Sequence, residues 1–249
     1  MSALHAARLV EALREQTAGF SRAVAGGDPE AKVPTCPEWR LSELVGHIGQ
    51  AHRWAAGLVR LKGAPLPVPD PREAVPGEPG AWEEWLRAGA EELIAAVGEA
   101  EEGSQVWSVV GPMPPVFWLR RMFCDTAVHH YDAAATTGAA YEISGDLAAE
   151  VLTEGMQIVA TPEAAAFLPR LAELRGGGER LGVRPDGMAG WLVTRTPEGP
   201  RWERGRSDGD VVVSGPVDEC MLVFARRIPP RDVSGDRALL DHWLAHTAF

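Results

Sequence analysis

The sequence predicts an α+β protein, in which an N-terminal antiparallel four-helix bundle precedes a small C-terminal α+β domain. In the first part of the chain, four long segments repeat their apolar residues at helical spacing. In the last part, short runs of β-branched and aromatic residues alternate with turn residues, which is typical of strands. With 249 residues, 45% of them hydrophobic, the chain can bury one large core or two ordinary ones.

Apolar stripes define the four predicted helices of the bundle. They span about residues 3–25, 41–61, 81–97 and 116–136. Gly26-Gly27 ends the first helix, and a proline-rich stretch over residues 63–80 has too few apolar residues to form an element, so it is predicted to be a loop. Four long helices with one apolar face each indicate an antiparallel bundle.

The pattern changes to short strands after a glycine-rich stretch at residues 176–178. Helices are predicted over residues 146–160, 162–174, 217–226 and 236–245. Strands are predicted at 191–195, 201–204 and 210–214, and the first two flank Pro-Glu-Gly-Pro as a hairpin. We therefore assign residues 1–160 to the helical bundle and residues 161–249 to the small α+β domain.

Charge and cysteine content exclude several classes of protein. The net charge of -11 repels phosphate backbones, so nucleic acid is not an expected partner. No run of apolar residues is long enough for a membrane span and the N-terminus lacks a signal-peptide core, so the sequence predicts a cytoplasmic protein without a membrane partner. Three scattered cysteines argue against a disulfide framework and for a reducing compartment.

A polar cluster stands out in the fourth helix, in the stretch RRMFCDTAVHHYD at residues 120–132. Asp125 and His129 are four residues apart, so their side chains project together at the edge of the apolar stripe. They are either two ligands of one metal ion or a hydrogen-bonded pair on the helix surface. A catalytic zinc ion usually has three protein ligands, so a metal site requires another ligand from a different helix.

The second helix offers two histidines as that ligand, and they point about 140° apart around the helix axis. His52 follows the apolar stripe with Ile48 and Ala55, where a histidine with a core hydrogen bond is expected. His47 lies off that stripe, so periodicity alone does not select it. Cys124 and Cys36 are interpreted as packing residues, Cys36 in a turn before the second helix where it could also act as a cap.

Two motifs then carry a resemblance to a known family. VPTCPEWRLSELVGHIGQAHRW contains C-P-x-W and L-V-x-H as Cys36, Pro37, Trp39 and residues 44–47. It resembles the N-terminal signature of the mycothiol-dependent maleylpyruvate isomerase family, whose members have a DinB-like four-helix bundle and a small C-terminal domain. DTAVHHYDA at residues 125–133 is similar to the second signature, E-T-A-V-H-R-W-D-A, and MLVFARR with VSGDRALLDHW is similar to the C-terminal domain.

The resemblance implies a metal site and a substrate-binding arginine. Its ligands are His47, Asp125 and His129, holding zinc or another divalent metal, and the arginine is Arg226 or Arg227. Asp125 replaces the usual glutamate and is one methylene shorter, so a metal would lie closer to the fourth helix or bind more weakly. His130 and Tyr131 replace the usual Arg-Trp, which changes either the pocket wall or the core beneath it.

The implied function is a metal-dependent enzyme that activates mycothiol for addition to an electrophilic small molecule. Reversible addition gives an isomerase, similar to maleylpyruvate isomerase, and retained addition gives a thiol S-transferase. Two alternatives use the same bundle: a zinc-dependent hydrolase in which the metal activates water, and a non-catalytic small-molecule-binding protein that has lost the metal because Asp125 is too short.

Overall fold

The structure is a computed structural model of the chain, and it describes residues 4–61 and 66–247. The chain divides into two compact units, of which the first ends at Ile143 and the second begins at Ser144. Among the helices of the described residues, none has both the length and the apolar character needed to cross a bilayer.

In the described part of the first unit, the four long helices are those that the apolar stripes predict. They are α1 Ala6–Val24, α2 Leu41–Arg60, α3 Trp82–Gly98 and α4 Val116–Thr137. Both α1 and α2 pack against α3 and α4, so the four helices form a closed ring around a common interior. The predicted start of the first helix at Ala3 lies outside the described residues.

Apolar side chains from these helices fill the interior. Those that are buried in one cluster include Phe20, Val24, Leu41, Leu44, Val45, Ile48, Trp82, Leu86 and Ala133. On α4 the predicted stripe of Leu119, Met122, Thr126, His130 and Ala133 is buried along its whole length. The stripes therefore identify core faces of α2 and α4 correctly, although the buried part of α4 is wider than its stripe and includes Trp118, Phe123 and Asp132.

A short hairpin before α2 is an element that the sequence does not reveal. Strands β1 Lys32–Val33 and β2 Cys36–Arg40 pair antiparallel, where the sequence predicts a turn. Two prolines within VPTCPEW hide the strand pattern, because proline is uncommon inside sheets. The hairpin matters for the site because β2 leads directly into α2 and packs Cys36 and Trp39 against the core.

The proline-rich segment between α2 and α3 is a loop, as predicted, over its described residues 66–80. It contains two single turns of 3₁₀-helix, Pro71–Glu73 and Pro79–Ala81, each with proline at its start. Residues 63–65 of the predicted loop lie outside the described residues.

The second unit contains a mixed sheet in its described residues. Its strands are β3 Arg180–Pro185, β4 Trp191–Thr196, β5 Gly199–Arg204, β6 Val211–Gly215 and β7 Asp232–Gly235, in the order β5-β4-β3-β6-β7. The predicted hairpin is β4–β5, with Trp191 opposite Arg204. The sequence pattern does not predict β3 or β7. Strand β3 is the central strand, paired antiparallel with β4 and parallel with β6.

Helices of the second unit differ from the prediction at one proline. They are α5 Gly145–Val159, α6 Pro162–Phe167, α7 Val217–Phe224 and α8 Arg237–His246. The helix predicted over 162–174 breaks at Leu168 and continues as a 3₁₀ segment, since Pro169 disfavours helical backbone in the residue before it.

The two compact units divide one helix earlier than the domains assigned from sequence. The assignment places residues 1–160 in the bundle, whereas α5 falls in the second unit because it packs against α7. The boundary therefore lies before α5, at the segment that follows α4.

Candidate metal centre

His47 reaches the site from α2, beside the buried face of that helix. Its neighbours Leu44 and Ile48 are fully buried, whereas the side chain of His47 keeps 24% of its surface exposed. A position next to the core stripe holds the imidazole firmly by its backbone and leaves its ring nitrogens accessible.

Asp125 and His129 reach the same point from α4, which packs against α2. The side chain of Asp125 is 18% exposed, and His129 is 8% exposed. Nε2 of His47 lies 3.4 Å from Oδ2 of Asp125, and one ligand atom of each of the three residues lies within 4.8 Å of the others. The predicted ligands are thus brought together from two helices.

The donor set and its spacing suit a divalent metal ion. Two imidazoles and one carboxylate are ligands that zinc accepts, and bonds of about 2.0–2.2 Å in a tetrahedral site place ligand atoms about 3.3–3.5 Å apart. The separation of 3.4 Å between His47 and Asp125 falls in that range, and it is too long for a good hydrogen bond between these atoms. Although Asp125 is one methylene shorter than glutamate, its Oδ2 and Nε2 of His47 are thus at a separation compatible with one shared ion.

Arg121 sets the charge and orientation of Asp125. It lies one turn earlier on α4, and its Nη2 donates a hydrogen bond of 2.7 Å to Oδ1 of Asp125. Burial alone would raise the pKa of Asp125, but the Arg121 guanidinium and the imidazoles of His47 and His129 hold that pKa well below its usual range. Asp125 is therefore an anion that uses one oxygen for Arg121 and directs the other toward His47.

Trp39 covers the two imidazoles from the β-hairpin. Its ring centroid lies 4.9 Å from that of His47 and 5.8 Å from that of His129, and the two imidazoles meet edge-on at 5.0 Å. Trp39 is the tryptophan of the C-P-x-W motif, and the sequence alone gave it no role. In the structure it shields one side of the site from water and restricts how the imidazoles can turn.

Asp132 supports His129 from behind, and sequence reasoning missed it. Its Oδ2 lies 2.7 Å from Nδ1 of His129, and Oδ1 accepts a 2.6 Å hydrogen bond from the Thr35 hydroxyl. Cys36 Sγ lies 3.7 Å from Oδ2.

Cys36, His129 and Asp132 also lie close enough together to hold an ion. However, 2.7 Å is a hydrogen-bond distance, shorter than the roughly 3.3 Å that two ligands of one tetrahedral ion need. The signal available in the sequence was the spacing of three between His129 and Asp132.

His52 is separate from the ligand cluster and forms a core hydrogen bond through one ring nitrogen, as its position on the apolar stripe predicts. Its other ring nitrogen, Nδ1, is buried without a hydrogen-bond partner. His52 is fully buried, and its Nε2 lies 2.8 Å from the hydroxyl of Thr126, which itself donates to the carbonyl of Met122. Since the only hydroxyl proton of Thr126 is used by Met122, His52 is the donor of this hydrogen bond. Burial lowers the pKa of His52 to about 3, so the imidazole is neutral.

His130, the residue after the second predicted ligand, faces α1 and not the ligand cluster. Its Nδ1 lies 3.0 Å from Oε1 of Gln16, and its ring packs against Gly19 so closely that a Cβ at that glycine would overlap it. Burial lowers the pKa of His130 to about 4. Replacing the family's Arg-Trp is expected to change either the pocket wall or the core beneath it. At His130 the change affects the core.

An aromatic group continues the site along the same two helices. Trp54 and Trp118 are seven residues from His47 and Asp125, so they lie on the same helix faces about 10 Å away. Their rings meet edge-on at 5.0 Å, and Trp107 stacks on Trp118 at 6.2 Å. The Trp118 indole N–H is satisfied by the carbonyl of Trp107. The three indole rings therefore form an apolar group at this distance from the ligand cluster.

The cysteines do not contribute a free nucleophile to the cluster. Cys124 is 1% exposed, which confirms its interpretation as a packing residue. Burial raises the pKa of Cys220, in the second unit, to about 12. Cys36 lies in a strand and not in the predicted turn, and its thiol is directed to Asp132.

The two predicted substrate arginines lie at the end of α7 in the second unit. Backbone N–H groups of Arg226 and Arg227 bond to the carbonyls of Val223 and Leu222, which is a Schellman motif. Arg226 takes the left-handed position, at φ 63°, where glycine is usual. Its side chain is exposed, whereas Arg227 is half-buried and donates from Nη1 to the carbonyl of Ala225.

Comparisons with known proteins agree with the two sequence motifs. A sequence model of the family described as "Mycothiol maleylpyruvate isomerase N-terminal domain" matches residues 10–134, about half of the chain and all three predicted ligands. No curated protein sequence matches the chain.

Two solved structures resemble the fold over nearly the whole chain. One is described as the crystal structure of the mycothiol-dependent maleylpyruvate isomerase; it has 18% sequence identity and a TM-score of 0.64, and the match covers 93% of each chain. The other is a histidine-to-alanine mutant of such an isomerase, with 17% identity, a TM-score of 0.61 and 90% coverage of each chain. At this level of identity the similarity shows a common fold that includes both units.

Proposed function

Because the chain belongs to the mycothiol maleylpyruvate isomerase family, we propose that it is a metal-dependent enzyme that uses mycothiol on an electrophilic small molecule. The observation that supports this proposal is the convergence of His47, Asp125 and His129 within 4.8 Å, at the two motifs that characterise the family. The product is an isomer when the addition of the thiol is reversed and an S-conjugate when it is retained.

A metal ion held by these residues would stabilise the thiolate of mycothiol at neutral pH, and the thiolate can add to an activated cis double bond. Zinc is the preferred ion because two imidazoles, one carboxylate and an open position are typical of its catalytic sites. Arg121 keeps Asp125 ionised and turned toward the site. Trp39 limits the access of water on one side of the imidazoles.

The remaining residues of the proposal concern the substrate. The exposed guanidinium of Arg226 is the better candidate of the two arginines to bind a carboxylate, since Arg227 already donates to a backbone carbonyl. The left-handed backbone at Arg226 supports a role for its side chain, because a non-glycine residue there carries a conformational cost of about 1–2 kcal/mol.

Elemental analysis and thermal unfolding test the proposal together. We expect the protein purified without chelator to contain about one divalent ion per chain. Mycothiol should raise the melting temperature of the metal-loaded protein and leave the chelated protein unchanged, because the thiol binds only to the folded, loaded state.

Three other outcomes would each contradict the proposal in a different way. Absence of any bound metal would favour the small-molecule-binding protein. Equal stabilisation by mycothiol with and without metal would place the thiol away from His47, Asp125 and His129. Turnover of an electrophilic substrate by water, without added thiol, would indicate the zinc-dependent hydrolase.

A further inference from the structure

Asp132 is a buried carboxyl group that the ligand triad does not include. It has no exposed surface, and it lies on α4 one turn after His129. Burying a carboxylate is costly unless hydrogen bonds satisfy it. Here the satisfying groups come from His129 on the same helix and from Thr35 and Cys36 at the turn and second strand of the β-hairpin.

The donors around Asp132 determine which nitrogen of His129 carries a proton. The hydroxyl of Thr35 donates to Oδ1 at 2.6 Å, and the thiol of Cys36 donates to Oδ2 at 3.7 Å. Nδ1 of His129 lies 2.7 Å from Oδ2, so a carboxylate that accepts from Thr35 and Cys36 also accepts from Nδ1–H. The lone pair of His129 is then on Nε2, where it is available to a ligand.

We propose that Asp132 is a positioning residue that holds His129 with Nε2 ready to bind metal, and that Thr35 and Cys36 in turn hold Asp132. The inference rests on the proposed metal-dependent function. It also gives a physical reason why the C-P-x-W motif and the motif at residues 125–133 occur together: their residues touch through Cys36 and Asp132.

Metal affinity is the property that distinguishes positioning from a merely structural role. Carboxylates that orient a ligating histidine typically change metal affinity by about 10- to 100-fold when they are mutated. We expect Asp132→Ala to raise the dissociation constant for zinc by about this factor, measured by competition with a chelator in the full-length protein. Asp132→Asn keeps an acceptor but no charge, so its effect should be smaller.

The matched control removes a hydrogen bond from the neighbouring histidine, which is not a predicted ligand. Gln16→Leu deletes the partner of His130 Nδ1. This variant should lose stability as other buried hydrogen-bond deletions do, by an amount visible in chemical unfolding of the chelated protein, and should keep the zinc affinity of the wild type. Thr35→Val should weaken zinc binding slightly, since it removes one of the groups that hold Asp132.

Cobalt replaces zinc as a spectroscopic probe of the ligands. We expect the cobalt-loaded wild type to lack the charge-transfer absorption of a thiolate ligand, because Cys36 contacts Asp132 and not the ion. A thiolate band that disappears in Cys36→Ser would overturn the inference, since the ion would then lie between Cys36, His129 and Asp132.

The outcomes separate this inference from the proposed function. If the wild type binds zinc and both Asp132 variants bind it equally well, Asp132 does not position His129, while the proposed function stands. If Asp132→Ala does not fold, the affinity of Asp132→Asn decides in the same way. If the wild type binds no metal, both the proposed function and this inference are wrong.

Discussion

Helices α2 and α4 place two histidine-containing pairs side by side, and the pairs differ in their hydrogen bonding and in their exposure to solvent. His52 and Thr126 form a closed hydrogen bond of 2.8 Å in the core, and the hydroxyl continues to a backbone carbonyl. His47 and Asp125, one residue away on α4, stand 3.4 Å apart with part of each side chain exposed. The first pair leaves no access for a ligand, whereas the second leaves its atoms at the separation that two ligands of one ion require.

The difference shows that residue type does not identify a metal ligand on these helices. Both histidines belong to the same helix, and each faces a polar residue of α4. The imidazole that pairs with a hydroxyl in the core becomes neutral, with its pKa lowered to about 3. The imidazole that faces a charged carboxylate at the edge of the core keeps a nitrogen for binding. Position relative to the buried stripe decides between the two roles.

Replacing each histidine of α2 in turn is the strongest test of the difference between the two pairs. We expect His47→Ala to abolish activity and to lower metal content sharply, because one of three protein ligands is lost, with little change in the stability of the chelated protein. His52→Ala should instead cost about 1–3 kcal/mol of stability and keep the metal, since it leaves a cavity and removes the hydrogen bond to Thr126. Elemental analysis of both variants measures the metal content, and chemical unfolding measures the stability. Loss of metal in His52→Ala together with its retention in His47→Ala would invert the assignment.

Acid unfolding tests the neutral state of His52. The folded protein binds a proton there only near pH 3, whereas the unfolded chain binds it near 6.5. Between these values the unfolded state holds more protons, so the free energy of unfolding falls as the pH falls, by up to about 1.4 kcal/mol per pH unit from this residue. The Asp125 carboxylate raises the pKa of His52 and the Arg53 guanidinium lowers it, both by less than burial does.

The variant His52→Gln isolates that contribution in the chelated protein. Its free energy of unfolding should fall less steeply than that of the wild type between about pH 6 and pH 4, because it lacks the titrating imidazole. Urea unfolding at several pH values gives both slopes. If the free energies of unfolding of both proteins fall equally steeply with pH, His52 binds a proton as readily in the folded protein as in the unfolded chain.

Removing the hydroxyl that pairs with His52 sharpens the comparison further. Thr126→Val keeps the shape of the side chain and leaves Nε2 of His52 without its acceptor, so we expect a loss of about 1–3 kcal/mol. Zinc affinity should stay unchanged although Thr126 is adjacent to Asp125 in sequence. A variant that loses zinc without losing stability would show that the two pairs act as one unit.

The same contrast between a bonded and an accessible side chain applies to Arg226 and Arg227. Arg226→Gly should stabilise the protein by about 1 kcal/mol, because glycine adopts the left-handed backbone without cost, and should lower kcat/KM if its guanidinium binds substrate. Arg227→Lys is the control, with smaller effects on turnover. An active Arg226→Gly variant beside an inactive Arg227→Lys variant would assign the substrate to Arg227.

Helical periodicity predicts the described helices of the first unit well because their apolar stripes are long and regular. It fails at the β-hairpin, where Pro34 and Pro37 obscure two short strands, and at β3, whose Gly182 and Pro185 weaken the strand pattern. Strand β3 is fixed by pairing with β4 and β6 and not by its own sequence. Local patterns cannot report such non-local pairing.

The candidate site needs more information than the fold. Spacing on α4 selects Asp125 and His129 as a pair, but only the family motif selects His47, since its position off the stripe looks like that of any surface residue. The sequence does not suggest that Asp132 is buried, because a charged residue after His130 and Tyr131 looks like a surface residue. Its partner Thr35 lies 97 residues away along the chain. Its role becomes visible only when the hairpin and α4 are seen in contact.

Gly19 and His130 illustrate a constraint on how this chain can diverge from its relatives. The imidazole occupies the space that any larger residue at position 19 would need, although 110 residues separate the two along the chain. A mutation of Gly19 alone is therefore expected to be purged by selection as long as His130 is present. If His130 is first exchanged for a residue that points away from α1, position 19 becomes free to vary. In an alignment of descendants, we expect these two columns to change together and in that order.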